Sequence, residues 1–132
     1  MTLPKVEPTI RVLAMPANTN SSGDIFGGWI MSQVDIAASV AATRRAGCRV
    51  ATVAVNSFSF KKPVYVGDLI SCYARVIKVG TTSITVDVEV YAERNRHQDD
   101  VVKVTEAVLT FVALDKDGNS QAVPADKGEQ VE

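Results

Sequence analysis

Histidine is almost missing from this chain. The single one in 132 residues, His97, sits in the polar run Arg94-Asn95-Arg96-His97-Gln98-Asp99-Asp100. A Ser-His or Cys-His relay needs an imidazole held beside its nucleophile, and a solvated loop histidine does not supply one. Cysteine is nearly as scarce. Cys48 and Cys72 have neither metal-ligand spacing nor the density of a disulfide scaffold, so they read as small packing residues in a reducing cytoplasm, and no metal site is expected. No apolar run approaches the roughly 20 residues of a membrane helix. The opening, MTLPKVEPTIRV, has no charged n-region followed by a long apolar stretch, so no secretory leader is expected. Aromatic residues make up only 6% and the pI is near 5.8, which is not the footprint of a nucleic-acid binder.

What is present suits one ordinary domain. Hydrophobic residues at 46% with 22% charged can bury a core at this length without staples. Residues 1–124 form that domain, and the polar stretch 125–132 reads as a loose tail. Net charge is −1, but it is unevenly spread. From Ile36 to Val86 there are seven bases (Arg44, Arg45, Arg49, Lys61, Lys62, Arg75, Lys78) and one acid, Asp68, while eleven acids follow from Asp87 onward. Such a run is either a solvated face or a patch for a small polyanion such as a phosphate group.

Behind the turn residues Asn20 to Gly23 and the pair Gly27-Gly28, the chain runs from Trp29 to Ala46 without a glycine or proline. That run predicts one helix. Arg44 and Arg45 suit the negative end of its dipole, and Gly47 can close it in the left-handed conformation. Ile30, Val34, Ala37 and Ala41 form an apolar face. A second stripe, Gly28, Ser32, Asp35, Ser39 and Ala42, carries small residues and one carboxylate, so another backbone or an extended ligand can lie against it with Asp35 at the contact.

Strands are expected over 9–15, 49–61, 69–79, 83–92 and 101–114. The fourth is the clearest: Ile84, Val86, Val88, Val90 and Ala92 alternate with Ser83, Thr85, Asp87, Glu89 and Tyr91. In the second, the large residues change parity between Val55 and Phe58, which predicts a bulge near Asn56. Gly67-Asp68 and Gly80-Thr81-Thr82 mark turns. Short connections make the last four strands sequential antiparallel neighbours. One helix cannot cover such a sheet alone, and its edges stay unpaired, so pairing with a second copy is expected.

Three segments, NTNSSGDIFGGWIMSQVDIA, VNSFSFKKPVYVGDLISCYARVIKVGTTSITVDVEV and EAVLTFVALD, resemble the hotdog-fold acyl-CoA thioesterases, in particular the short bacterial YciA type, over residues 10–124. The resemblance implies an α+β fold with one central helix wrapped by about five antiparallel strands, and a site shared between two protomers. It implies a homodimer as the minimal unit, assembled as a trimer of dimers into a hexamer.

It assigns Asp35 the carboxylate that acts as base or nucleophile, Gly27 the amide that polarises the thioester carbonyl, Asn20 a polar partner and Ser39 a supporting hydroxyl. Coenzyme A is implied as part of substrate and product, with no other cofactor. Gly28, Val55, Asn56 and Ser57 would flank its pantetheine arm. Lys61, Arg75, Lys78, Gly80, Thr82 and Ser83 are candidates to face its phosphates. An ionised carboxylate can take a proton from water or attack a carbonyl, and amides at a helix start stabilise an oxyanion. The bland alternatives are a turn role for Asn20, close packing for the glycines and helix-end charges for Arg44 and Arg45. The hotdog dehydratases resembled by the same fold generally rely on a histidine, and the only one here, His97, sits in a polar loop. The competing function is a non-catalytic acyl-CoA sensor, since a fold alone does not establish turnover.

Overall fold

Two turns frame the helix, and both are written in side chains. At the start, Asn20 Oδ1 accepts the amides of Ser22 (2.9 Å) and Asp24 (3.2 Å), and Gly23 takes φ +88°. Helix α1 then runs Gly27–Ala46, its first turn made of the glycine pair. At the end Gly47 adopts φ 68° and its N–H bonds to the Thr43 carbonyl at 2.8 Å, with Arg44 and Arg45 in the last turn. The computed structural model describes residues 1–95 and 97–126. Of the stretch 125–132, therefore, only Ala125 and Asp126 can be placed; the rest lies outside the described residues.

Five strands form one antiparallel sheet: β1 Ile10–Leu13, β2 Val50–Phe60, β3 Leu69–Val79, β4 Ser83–Glu93 and β5 Val101–Ala113. Their order is β1-β3-β4-β5-β2. The alternation in β4 has the expected outcome. Ile84, Val86, Val88, Val90 and Ala92 are fully buried and pair with Phe111, Leu109, Ala107, Thr105 and Val102 of β5. The helix packs on this row. Its deepest residues are Ile30, Val34, Ala37, Ala38, Ala42 and Ala46, while Ala41 is only half-buried. The apolar face is thus rotated from the expected one toward Ala38 and Ala42, because a curved sheet wraps more than one stripe of a helix lined with alanines.

Sequential neighbours were expected for the last four strands, and this holds for β3-β4-β5 but not for β2 and β3. Strand β2 pairs with β5 at one edge, and β3 lies between β1 and β4. The connection 61–68 is long enough to cross beneath the helix start. Val64 is buried in it, and its carbonyl accepts the Ile25 amide at 3.0 Å. Asp68, the lone acid of the basic run, anchors the crossing: it is 4% exposed, accepts the Tyr65 amide at 2.9 Å and meets Arg94 at 3.4 Å. Arg94 also lies 4.8 Å from the Tyr65 ring centroid.

The bulge expected near Asn56 is present, with register shifts between Thr52 and Ala54 and between Val55 and Ser57. At the β3–β4 turn a Cβ on Gly80 would stand 2.7 Å from Ser83 Oγ, so a larger residue there would push the serine hydroxyl aside. The unpaired edge of β2 exposes Val53 (58%), Val55 (49%) and Phe60 (53%), an apolar strand edge of the kind that pairs with another chain. Among the described residues no helix is long and apolar enough to cross a membrane.

Candidate active site

Asp35 faces β2 from the middle of the helix, and Thr52 meets it there. The Thr52 hydroxyl donates to Asp35 Oδ1 at 2.6 Å, the length of a charge-assisted bond. Thr52 points to the helix because it pairs with the buried Phe111, ahead of the bulge. The two residues share an open groove of about 420 Å³ with Gly28, Met31, Ser32, Val55, Phe58 and Leu109. Gly28, Ser32 and Asp35 come from the small-residue stripe. Of its other members, Ala42 is buried, and the Ser39 hydroxyl donates to the Ile36 carbonyl at 2.7 Å, outside the groove.

The helix start offers donors. Among the described residues the Gly27 and Gly28 amides donate no hydrogen bond, as first-turn amides do not unless capped. The two glycines differ in surroundings. A Cβ on Gly27 would stand 3.2 Å from the Phe60 ring, whereas one on Gly28 would meet nothing within 4 Å. Within one chain these amides cannot reach what Asp35 touches: eight helical residues separate Gly27 from Asp35, roughly 12 Å of rise.

The other candidates are dispersed. Asn20 is engaged in its turn and does not line the groove. Val55 lines it, whereas Asn56 turns to the opposite face and accepts the Thr110 hydroxyl at 2.7 Å. Ser57 is exposed beside the bulge. The basic run does not gather into one patch. Lys61 meets Glu106 at 3.4 Å and Arg75 meets Asp87 at 3.9 Å, on the sheet face away from the helix. Arg45 binds the Pro124 carbonyl at 2.8 Å. Lys62 and Lys78 have no ion pair among the described residues. Gly80, Thr82 and Ser83 build the hairpin at the end of the sheet nearest the helix C-terminus, where the Thr82 and Thr81 carbonyls accept the amides of Ala113 and Val123.

That outer face is otherwise self-compensating. Lys103 lies between Glu89 at 2.7 Å and Glu106. Partial burial would lower its pKa, but the bonds to Glu106 and Glu89 outweigh this and raise it. Glu106 is lowered, first by its bond to Lys103. Asp87 is raised by burial and by Glu89. His97 is exposed and lines a separate cleft with Leu13, Gly67, Leu69, Glu93, Gln98 and Asp99, remote from Asp35. No group of three or more His, Cys, Asp or Glu among the described residues could hold a metal. Thr52, bonded to Asp35 in the groove, is a residue that the sequence did not single out.

A long helix cradled by one curved antiparallel sheet, with a small-residue face open beside a free sheet edge, is the hotdog arrangement. Residues 22–97 match the Thioesterase superfamily. The acyl-CoA thioester hydrolase YciA of Salmonella typhimurium is 46% identical over 123 residues, covering 92% of both chains. The solved hexameric broad-specificity acyl-coenzyme A thioesterase HI0827 superposes with a TM-score of 0.86 at 44% identity, covering 98% of this chain and 88% of that one. The acyl-CoA hydrolase of Staphylococcus aureus, solved with butyryl coenzyme A and coenzyme A, gives a TM-score of 0.80 at 31% identity, covering 92% and 76%. Structures of that hydrolase also exist with an asparagine and with an aspartate replaced by alanine, two positions fifteen residues apart, the spacing from Asn20 to Asp35. This chain belongs to the thioesterase superfamily, among the acyl-CoA thioester hydrolases of the YciA type.

Proposed function

We propose that the protein hydrolyses acyl-CoA thioesters to free coenzyme A and a carboxylic acid, at a site completed by two copies of the chain. The carrying observation is the Asp35–Thr52 pair opening on an apolar groove beside the free edge of β2. Asp35 takes the proton from an attacking water, or attacks the thioester carbon itself and is then released by water. In both routes the C–S bond breaks, the thiolate of coenzyme A leaves and is protonated, and oxygen from water ends in the acid. Water is the only co-reactant needed. The oxyanion that forms on the way needs donors, and the amides at Gly27 and Gly28 are free to serve.

The second copy follows from geometry. Asp35 stands level with Thr52, and Gly27 stands level with Phe60. Thr52 and Phe60 lie equally far on either side of Asn56, near the middle of β2. Antiparallel pairing of β2 with its copy about a two-fold near that residue therefore carries Asp35 toward the partner's Gly27. It also covers Val53, Val55 and Phe60. The asparagine and aspartate positions replaced in the Staphylococcus enzyme support Asn20 as a second polar group, brought with Gly27 from the same chain. Ser39, one turn beyond Asp35, steadies the helix backbone behind it. Assembly beyond the dimer, as a trimer of dimers, follows the hexameric relative. A cytoplasmic setting agrees with two unpaired cysteines.

For coenzyme A, the pantetheine arm passes Asn56 and Ser57 along β2, while Gly28 and Val55, which line the groove, lie against the acyl part of the substrate. The phosphates lie toward Lys78 and the hairpin at Gly80, Thr82 and Ser83. Lys61 and Arg75 would have to exchange Glu106 and Asp87 for phosphate. The test is thiol release from a panel of acyl-CoAs by wild type and Asp35→Asn. We expect a loss of about 100-fold or more, as for a removed base or nucleophile. A folded variant that keeps the full rate overturns the proposal.

A further inference from the structure

We infer that Phe58 sets the length of acyl chain the site accepts, by walling the far end of the groove that begins at Asp35. The inference rests on the reading of Asp35 as the hydrolytic centre. The Thr52–Asp35 bond fixes one end of the groove. From there the helix runs back to Gly28 while β2 runs forward to Phe58, so Gly28 and Phe58 bound the other end. The seven helical steps from Gly28 to Asp35 give the groove roughly 10 Å of length.

Its lining selects the hydrocarbon arm of the substrate rather than the pantetheine arm. Between the two ends stand Met31, Val55 and Leu109, with Ser32 as the single side-chain hydroxyl. Pantetheine amides laid there would lack side-chain partners, and unsatisfied polar groups are costly to bury. A methylene chain leaves nothing unsatisfied.

The end wall is backed. The Phe58 ring is half-buried and lies 4.9 Å from the Phe60 ring, inclined at 47°, and Phe60 in turn rests against Gly27. A chain tip that reaches Phe58 therefore meets a side chain with little room to recede. Opposite it, the space at Gly28 is open, so the wall on the strand side defines the limit.

The test measures kcat/KM on a series of straight-chain acyl-CoAs from acetyl to palmitoyl, for wild type, Phe58→Ala, Phe58→Leu and Phe58→Trp. Phe58→Ala and Phe58→Leu should raise the ratio of long-chain to short-chain kcat/KM, by about tenfold for the alanine variant, since one methylene in an apolar pocket is worth roughly 10-fold or more. Phe58→Trp should lower the same ratio. If the alanine variant fails to fold, the leucine and tryptophan variants still move the ratio in opposite directions. Unchanged ratios in folded variants overturn the inference. Asp35→Asn separates the two failures: if it is inactive while the Phe58 ratios stay flat, only the length assignment falls, and if it is fully active the hydrolytic reading falls as well.

Discussion

In the proposed reaction, Thr52 is the residue that positions the Asp35 carboxylate. Its hydroxyl occupies Asp35 Oδ1, and Asp35 itself lines the groove. Hydrogen bonds to charged groups are worth about 1.5–3 kcal/mol. Thr52→Val, which keeps the shape and removes the donor, should therefore lower kcat by roughly 10- to 100-fold. Thr52→Ser should restore most of it. A kcat that falls with KM little changed marks positioning, and a rate unaffected in the valine variant would remove Thr52 from the mechanism. The sequence could point to Asp35, because an acid on a stripe of small residues behind a glycine pair is unusual. It could not point to Thr52, since a threonine in a strand is what strand propensity favours anyway. The same limit applies to Lys61 and Arg75. Their spacing gives no hint that Glu106 and Asp87 stand across from them.

Each strand and the helix were legible within a residue or two, because alternation, glycine punctuation and the glycine-free run are local signals. The β2 bulge was legible too, through the shift in parity between Val55 and Phe58. The position of β2 was not. Its place beside β5 depends on a connection threading under the helix and fixed by Val64, Asp68 and Arg94, contacts that span the sequence. The interior row of β3 carries a testable electrostatic consequence. Cys72 is fully buried there, and burial pushes its thiol up to about 12, against an ordinary value of roughly 8.5. Above that ordinary value the unfolded chain loses the proton and the folded chain keeps it. Stability therefore falls as pH rises from about 8.5 toward the folded value, at up to about 1.4 kcal/mol per pH unit from this group. Urea melts at pH 8 and pH 10 should show a larger drop for wild type than for Cys72→Ala. Equal drops would mean that the thiol is not held neutral.

For the whole molecule, the separation of Gly27 from Asp35 along one helix is decisive. If each site draws its amide from one copy and its acid from the other, two dead variants can cure each other. Asp35→Asn and Gly27→Val should each be nearly inactive alone. In a mixed dimer both defects fall in one site and the other site is intact, so co-assembly should recover about a quarter of wild-type activity when the subunits pair at random. No recovery from a mixture proven to contain mixed dimers would confine the site to a single chain. The sequence predicts a second copy from the shortage of cover for the sheet. The proposed level at which the copies meet rests on Thr52 beside Asp35 and Phe60 beside Gly27, contacts that no local pattern announces.

The bare apolar rim of β2 also constrains how this protein can change. Across the proposed two-fold near Asn56, a replacement at Val53 or Val55 enters the same seam once from each copy, so one mutation is felt twice. Residues there would have to satisfy their own strand and the copy's strand at once, which leaves that rim fewer tolerated alternatives than an equally exposed surface elsewhere on the molecule.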